Sequence, residues 1–174
     1  DFRIHADGFA RFVVVDRGFT KRQAGRMMQR LFEIEAYRML ALLALPLARA
    51  LAQRIAAIEG ALVTLTDDIA RHSVDDETLL QQLTRLADEV EQSLASGQFR
   101  FGACRAYAEL VERRIAELRE RRLPGMQTIE EFMARRFTPA VATCASTEQR
   151  LRQLSERVAQ ASALLSTRVN IARE

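Results

Sequence analysis

Tryptophan is absent, and the chain has only 3 prolines, 7 glycines, 2 cysteines and 2 histidines. Each shortage narrows what it can be. So few turn-forming residues exclude a sandwich or barrel, which needs Gly and Pro at many closely spaced corners. Having only His5 and His72 rules out a multi-histidine metal centre. Cys104 and Cys144 stand without metal-ligand spacing, and the chain is too long and too cysteine-poor for a secreted disulfide scaffold. A reduced compartment is the expectation, with pairing only if their helices lie side by side. No phosphate-cradling Gly-rich loop and no serine elbow occurs. The most apolar stretch, Met39–Ala48, lies between Arg38 and Arg49. It is too short to cross a bilayer and reads as a fully buried helix.

What the sequence does have is helical patterning. Hydrophobic residues make up 48% and charged residues 28%, a globular balance in which Leu, Ala, Ile and Val fill the core. Leu51, Ile55, Ile58, Leu62, Leu65 and Ile69 recur in a 4-3-4-3-4 ladder, which places them on one stripe of a helix. Before it, Thr20 and Gln23 form a capping box opening a helix to about Leu45, where Pro46 ends or kinks it. After the ladder, Asp75 or Asp76 opens a third helix along Leu79, Leu83, Leu86, Val90 and Leu94. Ser96-Gly97 is expected to close it, leaving Gln98–Gly102 as a turn whose Phe99 and Phe101 flank Arg100. Tyr107, Leu110, Val111, Ile115 and Leu118 mark a fourth helix, stopped by Pro124-Gly125. Thr128 and Glu131 cap a fifth, interrupted at Pro139, and Leu151, Leu154, Val158, Ala161 and Leu165 mark a last helix from about Thr147.

The opening residues follow a different rule. Phe2–Ala6 and Phe9–Asp16 read as strands joined by an Asp7-Gly8 hairpin turn. Phe12, Val13, Val14 and Val15 are apolar in succession, which predicts a strand covered on both faces. The expected organisation is therefore residues 1–17 as a β-hairpin remnant of a preceding α/β or β region, and residues 18–174 as a bundle. The fold class is mainly α: an antiparallel bundle of five to six helices with long coiled-coil-like members.

Candidate chemistry is sparse. Asp7 belongs to the turn beside His5, and His72 sits at a helix end, where a cation suits the dipole. Glu33, Glu35, Glu130 and Glu131 lack the Glu-x-x-His pairs of di-metal bundles. No catalytic, cofactor-binding or metal-binding residue is assigned. The net charge is +3, and Lys21 is the only lysine among 26 basic residues. Three doublets, Arg113-Arg114, Arg121-Arg122 and Arg135-Arg136, are the interaction candidates: a basic stripe suits anionic headgroups or nucleic acid. Interleaved acids and few neighbouring aromatics disfavour nucleic acid, leaving solvated ion-paired faces, anionic lipid or a protein partner.

The runs DFRIHADGFARFVVVDRG and AGRMMQRLFEIEAYRMLALLALPLAR, together with RFGACRAYAELVERRIAELRERRLPGMQTIEEFMARRFTPAVATC and LLSTRVNIARE, carry a resemblance. The chain resembles an uncharacterised bacterial family of predicted membrane-anchored proteins of unknown function. That resemblance implies a helical segment preceding a membrane anchor at the inner membrane. Arg168 and Arg173 favour the cytoplasmic side. The functional expectation is a non-enzymatic scaffold or interaction domain that forms homo-oligomers or binds a protein partner. The alternatives are a support for an enzyme active site in a preceding region, around His5, Asp16 and Arg17, or an Arg-rich binder of an anionic membrane surface.

Overall fold

The computed structural model describes Phe2 and residues 4–173, with side chains as far as Asn170. Arg3, in the first expected strand, and Glu174 lie outside the described residues. Helix α1 spans Lys21–Leu42, α2 Ala44–Arg71, α3 Asp76–Leu118, α4 Ile129–Arg136 and α5 Thr138–Arg173. The mainly α class stands, but the helices merge into three long rods with the short α4 between two of them.

The first rod is α1 followed by α2. Pro46 lies in the first turn of α2, where its missing N–H and the clash of its ring with the preceding turn break the helix at Leu43. The two halves run on end to end. Tyr37 of α1 stacks on Tyr107 with ring centroids 5.8 Å apart, while Leu51 of α2 lies beside Gly97, further back along α3. The expected capping box is present: Thr20 accepts from the Gln23 N–H, and Gln23 reaches back to the Thr20 N–H.

The second rod is one helix where the sequence predicts two. A single apolar and small-residue seam runs through Leu79, Leu83, Leu86, Val90, Ser93, Gly97, Phe101, Cys104, Ala108, Val111 and Ile115, all buried. Its steps alternate four and three, apart from one doubled four at Gly97, a stutter that shifts the supercoil without breaking the helix. Tertiary packing thus overrides the glycines. Phe101 is buried in the seam whereas Phe99 is 82% exposed, so the two do not form a shared tip. The helix ends earlier than expected, at Leu118, with Arg119 as a left-handed cap (φ 51°). Arg121 therefore sits in the connection between α3 and α4.

Rod three, α5, starts at Thr138, well before Thr147. Pro139 stands in its first turn, where proline is tolerated. The expected stripe of Leu151, Leu154, Val158 and Leu165 is buried, and Cys144, Thr147 and Glu148 extend it toward the N-terminus. Cross-rod contacts fix the directions. Arg30 pairs with Glu117 at 3.2 Å and Ser155 donates to Glu91 at 2.8 Å, so α3 runs antiparallel to its neighbours. Arg150 meets Glu59 at 2.7 Å and Arg168 reaches the Ile69 carbonyl at 2.9 Å, so α2 and α5 run parallel.

The hairpin is the main correction. Gly8 adopts φ 83° and its N–H donates to the His5 carbonyl, so the chain reverses through a three-residue Ala6-Asp7-Gly8 loop in place of the expected two-residue Asp7-Gly8 turn. The ladder stops at one antiparallel bridge, Ile4 to Ala10, and no strand is present among the described residues. A two-stranded ribbon without a covering layer is marginal in water. Aromatic packing holds the segment instead. Phe2 stacks on Phe132 of α4 at 5.1 Å, meets Phe12 edge-on at 5.3 Å and lies 5.6 Å below the Arg38 guanidinium.

Candidate interaction surface

The polar groups within the bundle are committed to structure. Among the described residues no His, Cys, Asp and Glu cluster could hold a metal, and no buried side-chain N or O lacks a hydrogen-bond partner. Ser93 and Thr147 donate to carbonyls one turn back, at 2.8 and 2.9 Å. Glu148 is buried between Arg105 and Arg152. The His5 backbone N–H donates to the Phe9 carbonyl. Asp16 accepts from the N–H groups of Phe19 and Gly18, which hold its carboxyl below the usual range. His72 is the left-handed cap of α2, with its Nε2 3.3 Å from Arg168.

Arg168 stands on α5 three residues beyond Leu165, the last buried apolar member of its stripe. Its guanidinium forks onto the Asp76 carboxylate and donates to the Ile69 carbonyl, closing the end of the bundle across α2, α3 and α5. From the sequence Arg168 is legible only as a basic residue; the structure gives it this fastening role.

The arginine doublets divide. Arg114 is drawn inward by Glu33 of α1 and by Glu117 at 2.9 Å. Gln29 and Arg114 in turn hold the Glu33 carboxyl below its ordinary range. Arg122 pairs with Glu131 at 3.1 Å. Arg113 on α3, Arg121 in the connection, and Arg135 and Arg136 in the last turn of α4 stay exposed, with no salt bridge among the described residues. Glu120, next to Arg121, accepts from the first N–H groups of α4 at 2.8 and 2.9 Å, and the Thr128–Glu131 capping box is complete.

A surface the sequence reading missed lies on the α1 half of the first rod. Leu31, Ile34 and Ala41 face inward, yet Phe32 is 57% exposed, Leu43 54%, and Met39 and Leu40 are also exposed. Gly25, Met28, Phe32, Ala36 and Tyr37 line a shallow, mainly apolar depression of about 520 Å³. The Met39–Ala48 stretch is therefore only half buried, through Ala41, Ala44 and Ala48. The signal was available: α1 is apolar on more faces than one packing stripe needs. By length and composition Lys21–Arg71 could cross a membrane, with a window of mean hydropathy 1.5, although a buried core helix passes the same test. The buried ladder Leu51 to Leu65 is core of that kind. Val13 and Val15 stand out in solvent as well, Val13 at 90% exposure.

Together these features define a class: an elongated, mainly α-helical bundle whose α3 alone is roughly 65 Å long. The chain belongs to the DUF3422 family, a protein family of unknown function, whose model matches residues 1–174. No curated protein and no solved structure matches it.

Proposed function

We propose that this chain is a non-enzymatic scaffold and interaction domain that self-associates through the apolar face of α1. One observation carries the reading: Phe32, Met39, Leu40 and Leu43 remain uncovered on a helix whose opposite side is already packed on α3. Large apolar side chains clustered on a surface mark association sites. A second copy of the chain, burying the same face, is the occupant. Membrane anchoring at a bacterial inner membrane, with this domain on the cytoplasmic side, belongs to the same proposal. It rests on the family resemblance of the sequence runs.

Light scattering on the purified chain, from low to high micromolar concentration, tests the reading. A mass approaching twice 19.7 kDa is expected, returning to the monomer in Phe32→Glu/Leu43→Glu. A wild-type monomer throughout the range refutes self-association. A second reading, an anionic-surface binder, is favoured by the exposed guanidiniums of Arg113, Arg121, Arg135 and Arg136, which have no salt bridge among the described residues. Co-sedimentation with phosphatidylglycerol vesicles should then fall steeply with salt, and a salt-independent pellet discards it.

A further inference from the structure

The two cysteines of the chain are brought together by the fold. Cys104 lies on the inward seam of α3 and Cys144 on that of α5, both buried. The antiparallel register that joins Glu91 to Ser155 and Arg105 to Glu148 brings the two thiols to the same level of the seam between α3 and α5, close enough for each to influence the other's ionisation. Nothing in the bundle's packing requires sulfur at both positions, since a small aliphatic residue fills such a site. We propose that Cys104 and Cys144 are a modification site: a thiol pair that hydrogen peroxide converts to a disulfide stapling α3 to α5.

The surroundings suit that chemistry. The neighbouring Cys144 sulfur and the Arg105 guanidinium lower the Cys104 thiol below its ordinary range, while the paired sulfur and burial push Cys144 up. Cys104 is the attacking sulfur, because the thiolate is the nucleophile. One helical turn away, Gln98, Phe101, Glu148 and Arg152 line a depression of about 250 Å³.

Two steps complete the reaction. The Cys104 thiolate attacks one peroxide oxygen, the O–O bond breaks, and the departing hydroxide takes up a proton to leave as water. The Cys144 sulfur then attacks the Cys104 sulfenic sulfur. The S–O bond breaks, and a second water leaves with the Cys144 proton. Two thiols lose two electrons and two protons, and one peroxide becomes two waters. The new bond closes a covalent loop containing the end of α3, all of α4 and the start of α5. It ties together the region that holds the N-terminal aromatic cluster.

The experiment treats the intact folded chain with dilute hydrogen peroxide, followed by alkylation, peptide mapping by mass spectrometry and thermal melting. The expected products are one intramolecular cross-link between the Cys104 and Cys144 peptides and a rise in Tm of roughly 5–10 °C. Dithiothreitol should reverse both changes. Cys144→Ser should instead accumulate a dimedone-trapped sulfenic acid on Cys104. Both thiols remaining free for alkylation, separate over-oxidation of the two sulfurs, or a cross-link between chains would each overturn the proposal. The wild-type mapping decides the matter even if a serine variant folds poorly.

Discussion

Substituting Gly97 by alanine sets two effects of known size against each other. In an ordinary helix interior the change is favourable by about 1 kcal/mol, because alanine loses less backbone entropy. Here an added Cβ would sit 2.6 Å from Phe101 Cε2, 3.0 Å from its Cδ2 and 3.5 Å from Leu51 Cδ1. The Phe101 ring is buried in the seam and can retreat only by displacing its neighbours. Overpacking of that kind costs about 1–3 kcal/mol. The clash should win, so Gly97→Ala destabilises by up to about 2 kcal/mol, a fall in Tm of up to about 8 °C for a chain of this length. Phe101→Leu removes the ring edge and restores the ordinary sign. In that background Gly97→Ala should stabilise by about 0.5–1 kcal/mol, a coupling of about 0.5–3 kcal/mol in a double-mutant cycle. Urea titration followed by circular dichroism at 222 nm gives all four values. A Gly97→Ala variant that gains stability in the wild-type background would refute the packing of the Phe101 ring over Gly97 in the α3 seam.

Other expectations follow from single contacts. Arg168→Ala leaves Asp76 without its fork and the Ile69 carbonyl without its donor, and should cost about 1–3 kcal/mol in urea titrations. Unchanged stability would show that the far end of the bundle is closed by packing alone. Leu83→Ala opens a cavity in the fully buried seam and should cost about 2–5 kcal/mol, whereas Val13→Ala should change stability by less than about 0.5 kcal/mol. Asp75 caps α3, and its carboxyl is held below the ordinary range by bonds from Thr78. Its contribution is therefore present above the unfolded carboxylate value and is lost as pH falls through the folded one. Asp75→Ala should flatten the acid limb of a Tm-against-pH curve, and an unchanged slope would contradict that assignment.

The rods were legible where apolar side chains alone carry the seam. The ladder from Leu51 to Leu65 and the stripe from Leu79 to Val90 are buried as their spacing requires, and so is the stripe from Leu151 to Leu165 apart from the half-buried Ala161. Both Thr capping boxes were legible because they are local chemistry. The continuity of α3 was hidden, since Ser93 and Gly97 fill seam positions with small residues that do not register as apolar. The early start of α5 was hidden likewise, because Thr147 and Glu148 are buried polar members of its stripe. The hairpin failed for a different reason. Strand patterning from Phe12 to Val15 states a preference for cover, and no described residue supplies a second layer there. Of the interaction candidates, Arg114 and Arg122 could not be separated from their neighbours by sequence, because their partners Glu33 and Glu131 arrive through tertiary contact.

Amide hydrogen exchange at two protein concentrations bears most directly on the division between a sealed seam and an open association face. Raising the concentration should slow exchange in α1, around Met28 to Leu43, and leave the already protected seam of α2, α3 and α5 unchanged. Protection that does not change with concentration in α1, or that changes chiefly along the Leu51–Leu65 ladder, would contradict the account.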